Sequence, residues 1–140
     1  MIYADTSVLL AYYRPEAGSK RAQAFFSDLK QPALISSLTE VEFASALARW
    51  VRTGEACEAD ANLIHAAFQA DIDGGCYQIM PLAATHYRQA VAWLLARKSP
   101  VRALDTLHLA CAARHQVAIA TFDKLMRTAA MVLGVAVYDF

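Results

Sequence analysis

The stretch Ile2-Tyr3-Ala4-Asp5-Thr6-Ser7-Val8-Leu9-Leu10-Ala11-Tyr12-Tyr13 decides the fold. Ile2 to Ala4 is a short apolar run closed by an acid. Thr6 or Ser7 then offers a helix cap for Val8 to Tyr13, and Pro15 stops the helix. The stretch reads as strand, turn and helix, with Asp5 at the carboxyl end of the strand.

The same alternation continues along the chain. Ala22, Phe25, Phe26 and Leu29 have helical spacing within Ala17 to Leu29, and Pro32 precedes a buried strand over Ala33 to Ser36. Thr39 and Glu42 stand at capping-box spacing before a helix carrying Phe43, Ala46, Leu47 and Trp50 on one face, ended by Thr53-Gly54. An Ala-rich helix over Ala56 to Ile72 ends at Gly74-Gly75. Further helices are expected over Ala83 to Ala96, Leu104 to His115 and Phe122 to Leu133. Strands are expected at Tyr77 to Met80, Val117 to Ala120 and Val135 to Tyr138. Short apolar strands joined by helices imply a three-layer α/β/α fold around a central, mostly parallel five-stranded sheet. Ligands of such sheets bind outside the carboxyl ends of the strands, where strand order reverses.

Composition bounds the rest. A chain of 140 residues that is 57% hydrophobic is sized for a single domain spanning 1–140, and 5 Gly and 4 Pro argue against disorder. No stretch is uncharged over the roughly 18 residues a membrane span needs. The N-terminus lacks the basic region of a signal peptide, so a cytoplasmic location is expected. Cys57, Cys76 and Cys111 are widely spaced and odd in number, which fits reduced packing thiols. Thirteen basic residues balance thirteen acidic ones, so any nucleic-acid contact must be local.

Four acids fall where that chemistry is expected. Asp5 follows the first strand and Asp123 lies three residues past Ala120, while Glu42 and Asp105 are read into the first turns of helices that face the same sheet edge. Each alone is explained as a turn or helix-cap residue. Together they repel one another unless a hard divalent cation, Mg²⁺ or Mn²⁺, neutralises them. Such an ion suits phosphodiester hydrolysis. In that reading Asp5 and Asp105 are direct ligands, and Glu42 and Asp123 complete the site directly or through water. Glu40 points to another helix face and reads as solvated surface.

The segments Tyr3-Ala4-Asp5-Thr6-Ser7, Ile35 to Phe43 with Thr39 and Glu42, Leu104-Asp105-Thr106-Leu107-His108, and Ala120-Thr121-Phe122-Asp123 closely resemble the PIN-domain nucleases, and among them the VapC-type toxins of type II toxin–antitoxin systems. The resemblance runs in order from the first strand to Gly134-Val135-Ala136-Val137-Tyr138. It implies a magnesium- or manganese-dependent endoribonuclease with Asp5, Glu42, Asp105 and Asp123 at the family's acidic positions and Thr121 as its auxiliary hydroxyl. It also implies a homodimer, an RNA substrate and a cognate antitoxin partner. Ser7 stands where the family has a small polar residue, and either holds Asp5 or a water or caps the helix.

Arg102 and Lys124, each close in sequence to a site acid, are the first candidates for RNA phosphates; Arg21, Arg49 and Arg127 belong to the same pool. His108, Cys111 and His115 share a helix face but cannot close a zinc tetrahedron from one helix, leaving His108 as a partner of the site or a core histidine. The aromatics Phe25, Phe26, Phe43, Trp50, Phe68 and Trp93 suit the core, with some available for an interface. An aspartyl phosphatase would need an acid at position 7, which is Ser, and a receiver domain would need an Asp ending Tyr77 to Met80. The remaining alternative is a PIN-like RNA-binding or interaction module without physiological nuclease activity.

Overall fold

The computed structural model describes all residues 1–140. Its elements are β1 (Ile2–Ala4), α1 (Thr6–Tyr13), α2 (Ser19–Asp28), β2 (Ala33–Ser36), α3 (Ser37–Arg52), α4 (Glu58–Asp73), β3 (Tyr77–Met80), α5 (Ala84–Ala96), α6 (Ala103–Arg114), β4 (Ala118–Ala120) and α7 (Lys124–Val132). The strands form one parallel sheet in the order β3-β2-β1-β4. Every crossover carries at least one helix, as parallel pairing requires. Strand order reverses between β1 and β4, and the Asp5 N–H donates to the Ala120 carbonyl at 3.1 Å across that point.

Pleating sends alternate residues to opposite faces. Ala4, Ala33, Ile35 and Ala120 join Val8, Phe25, Phe43 and Phe68 in one cluster under α1 to α4. Tyr3, Leu34 and Ile119 join Leu109, Met126 and Ala129 in another under α6 and α7. The inner strands β1 and β2 and the strand β4 are therefore covered on both faces and carry no polar alternation, whereas the edge strand β3 exposes Gln78. Phe25, Phe43, Trp50 and Phe68 are buried, so these aromatics fill the core rather than an interface. The large apolar side chains left outside include Tyr87, Val91 and Leu95 on α5.

The three-layer parallel architecture agrees with the sequence reading, but the sheet has four strands instead of five. Val135 to Tyr138 contributes one isolated bridge, Ile119 to Val137. Its hydrogen bonds run from the Ile119 N–H to the Ala136 carbonyl and from the Tyr138 N–H to the Ile119 carbonyl. The reason is the length of β4. Successive residues of a parallel strand turn their polar groups to opposite sides, and in a strand of three residues only Ile119 faces away from β1. Gly134, at φ +73°, turns the chain out of α7 into this segment.

A second correction concerns α3. Ser36, with extended backbone, is its N-cap and Thr39 its third residue, with the Ser36 N–H donating to Thr39 Oγ1 at 3.4 Å. Glu42 therefore stands in the second turn, not the first. No helix is long and apolar enough to cross a membrane.

Candidate active site

Asp5, Glu42, Asp105 and Asp123 all line one cleft of about 570 Å³ at the carboxyl edge of the sheet, together with Thr6, Ser7, Arg49 and His108. Helices that begin where strands end bring them there. Asp5 is the N-cap of α1 and Asp123 the N-cap of α7. Asp105 is in the first turn of α6, where it accepts from the Arg102 N–H at 3.4 Å. A carboxylate in each of these places also satisfies helix-terminal amides, so local folding and site construction use the same residue.

Asp5 is buried, at 3% exposure, and both its oxygens are engaged. Oδ1 accepts from Ser7 Oγ at 2.6 Å and the Val8 N–H at 3.3 Å, and Oδ2 accepts from Thr121 Oγ1 at 2.7 Å. Both hydroxyls also tie down the segment after β4. Ser7 Oγ accepts from the Phe122 N–H at 2.9 Å, and Thr121 Oγ1 from the Asp123 N–H at 3.0 Å. Ser7 and Thr121 thus clamp the loop carrying Asp123 onto Asp5. Burial raises the Asp5 carboxyl above its ordinary range, against the lowering effects of His108 and these hydrogen bonds.

Glu42 is held differently. His108 Nε2 lies 2.7 Å from Glu42 Oε2, which also accepts from the Thr6 hydroxyl. An ionised carboxylate only accepts, so Nε2 carries the proton. His108 Nδ1 lies 2.7 Å from the Tyr3 hydroxyl, which donates to Ser36 Oγ at 2.9 Å. Burial acts to raise the Glu42 carboxyl, but His108 and Thr6 outweigh it and hold the group below its ordinary value. His108 is both a satisfied core histidine, at 1% exposure, and a partner of the site. Sequence reasoning left that choice open and missed Thr6, Tyr3 and Ser36, whose partners are remote along the chain.

Asp105 is raised by burial first, and also by the charges of Asp123 and Glu42. Asp123 Oδ1 accepts from the amides of Leu125, at 2.7 Å, and Met126, at 3.0 Å. Glu42 Oε1, Asp105 Oδ1 and Asp123 Oδ2 have no protein partner. No three acid, His or Cys side chains are gathered as a ready-made cage for one ion. The donor set still suits Mg²⁺ or Mn²⁺, because Mg²⁺ takes one or two carboxylates and keeps several waters, and unpartnered carboxylate oxygens are the donors it needs. Cys111 is buried and His115 exposed, with no zinc cluster.

Of the basic residues expected near RNA, neither Arg102 nor Lys124 lines the acidic cleft. Arg102 is exposed at the start of α6, and Lys124 lines a neighbouring groove. Arg49, two turns past Glu42 on α3, is the one Lys or Arg in the cleft lining.

Fold and cleft define the class: the chain belongs to the PIN-domain family, whose model matches residues 2–131. Among solved structures it is similar to FitAcB from Neisseria gonorrhoeae, at 24% identity and a TM-score of 0.75, covering 99% of this chain and 97% of that one. It is also similar to VapC20 of Mycobacterium tuberculosis, described as a sarcin-ricin loop cleaving toxin, at 16% identity and a TM-score of 0.71 over 92% of this chain and 95% of that one. A toxin-antitoxin complex from Klebsiella pneumoniae aligns at 16% identity and a TM-score of 0.62 over 88% and 87% of the two chains. A comparison with curated protein sequences gives no match.

Proposed function

We propose that this PIN domain is a divalent-metal-dependent endoribonuclease, the toxin of a toxin–antitoxin pair, acting on RNA in the cytoplasm. The observation that carries the reading is the meeting of Asp5, Glu42, Asp105 and Asp123 in one cleft at the switch point of the sheet. The similarity to FitAcB, to a toxin described as cleaving the sarcin-ricin loop and to a toxin-antitoxin complex supports the toxin assignment and an antitoxin partner. Tyr87, Val91 and Leu95, exposed at i, i+4 and i+8 along α5, give an apolar face that suits a homodimer.

In this reading the chain's own residues build a rigid acidic frame. Ser7 and Thr121 fix the orientation of Asp5 and bring Asp123 beside it. His108 and Thr6 hold Glu42 by one oxygen, keep it ionised, and leave Oε1 free. Asp105, raised by burial and by the charges of Asp123 and Glu42, is a carboxyl whose charge a bound cation would neutralise. Mg²⁺ or Mn²⁺, when bound, supplies the Lewis acidity that polarises the phosphate, acidifies the attacking water and stabilises the leaving oxygen. Asp5, Glu42, Asp105 and Asp123 would hold it, the last three through oxygens that have no protein partner.

The test is cleavage of RNA by purified protein with Mg²⁺ or Mn²⁺, with chelator, and as Asp5→Asn and Asp105→Asn. Cleavage should require the metal and fall by orders of magnitude in either variant. Activity that survives both chelator and substitution would overturn the mechanism.

A further inference from the structure

An acidic cleft does not attract a polyanion, and a chain with balanced charge has no general field to do so. If the cleft cuts RNA, cations beside it must hold the strand. The structure has one groove of that kind next to the cleft, lined by Arg21, Lys124 and Arg127 with Phe122, Phe140 and Thr121, and containing a single acid, Asp139. The groove and the cleft share the segment after β4 as a wall: Asp123 lines the cleft, while Thr121, Phe122 and Lys124 line the groove.

The groove combines charge with aromatic surface. The Arg21 guanidinium lies 4.8 Å over the Phe122 ring, and the rings of Phe122 and Phe140 are 4.4 Å apart. Phe122 is seated against Gly18, where an added Cβ would come within 2.9 Å of its ring. Arg127 donates to the Tyr138 carbonyl at 3.2 Å and stands 3.8 Å from the fully exposed Asp139 carboxylate. Such an exposed pair is weak and screened by salt, so it does not cancel the groove's charge. Lys124 and Arg21 are exposed and make no ion pair. Cations for phosphates beside half-buried aromatic rings for bases are the pairing used to hold single-stranded nucleic acid.

We propose that the Arg21–Lys124–Arg127 groove is a subsite for single-stranded RNA flanking the bond to be cut, its cations taking backbone phosphate and its Phe122–Phe140 surface taking a base. The subsite rests on the ribonuclease reading of the neighbouring cleft. It is tested without cleavage, so that failure of one is distinguishable from failure of the other.

The experiment measures anisotropy of a fluorescent single-stranded oligoribonucleotide with the Asp5→Asn protein in chelator, across a salt series. Arg21→Gln/Lys124→Gln in that background should bind about tenfold more weakly and lower the salt slope by about 1.4, from ~0.7 per lost phosphate contact. Lys30→Gln/Arg97→Gln, on exposed cations that line neither the cleft nor the groove, should bind as the parent does. Equal losses in the two double variants, an unchanged slope, or no RNA binding by the parent would each overturn the subsite. Displacement by poly-glutamate as effective as by unlabelled RNA of equal charge would overturn it too, in favour of an acidic protein partner. Binding that follows the groove's cations while wild-type protein cuts nothing would retain the subsite and reject the nuclease.

Discussion

His108 Nε2 and Glu42 Oε2 meet at 2.7 Å although 66 positions separate them, joining α6 to α3 beneath the acidic cleft. Through Nδ1 the same ring contacts the hydroxyl of Tyr3, so one imidazole links two helices and the first strand. Replacing it by alanine removes a fully buried ring and takes one hydrogen-bond partner each from Tyr3 and Glu42, which keep only Ser36 and Thr6. The expected cost is about 3 kcal/mol, read by denaturant unfolding. Glu42 also loses the group that holds its carboxyl low, so in His108→Ala the acidic limb of the pH–rate profile should move to higher pH. An unmoved limb would separate His108 from the site.

Thr121→Val keeps the shape of the side chain and removes its hydroxyl. Asp5 Oδ2 loses a donor and the Asp123 N–H loses its acceptor, at a cost of about 2 kcal/mol in a thermal or denaturant melt. With Asp5 less firmly oriented, RNA cleavage should fall roughly 10–100-fold, the range for partners of metal-binding groups. Thr121→Ser, which restores the hydroxyl, should recover most of that loss.

Asp5 and Glu42 make opposite contributions to stability as pH changes. The Asp5 carboxyl is raised by burial, so its favourable contribution is complete below the unfolded value near ~3.9 and is lost as pH rises through the folded value. Glu42 is lowered, so its contribution is present above ~4.3 and is lost as pH falls through the folded value. In chelator, Asp5→Asn should therefore match wild type at pH ~3.5, below the ordinary carboxylate value, and melt at a higher temperature than wild type at neutral pH. A large fall in melting temperature at pH 7 would mean that Asp5 serves the fold more than it strains it.

Divalent cation should stabilise wild-type protein by mass action. At 100 times the dissociation constant the gain is about 2.7 kcal/mol, which calorimetry would read as a rise in melting temperature on adding Mn²⁺ to chelator-stripped protein. Asp105→Asn removes one carboxylate from the cleft and should reduce that rise. An equal rise in the variant would place the ion elsewhere.

The sequence was informative about elements whose cause is local. β2 agrees with the run Ala33 to Ser36 because a doubly covered parallel strand carries no exposed polar side chain, and β3 agrees with Tyr77 to Met80, bounded by Pro81, although at the sheet edge it exposes Gln78. Asp5 and Asp123 were legible for the same kind of reason: an acid following a short strand and opening a helix is visible in a few residues. The start of α3 was misplaced because Thr39 and Glu42 match a capping pattern that Ser36 and Thr39 satisfy one turn earlier.

What the sequence determined by itself is thus the alternation of strands and helices and the places of Asp5, Asp105 and Asp123 at helix starts, since period, turn chemistry and caps are encoded within about one turn of the residue concerned. The tertiary structure alone decided which groups face one another. It limited Val135 to Tyr138 to a single bridge, because β4 turns only Ile119 outward. It gave Glu42 to Thr6 and His108, set Ser7 and Thr121 on Asp5, and placed Lys124 with Arg21 and Arg127 instead of in the cleft. Those pairings depend on strand order and helix packing, which bring together residues that no sequence interval connects.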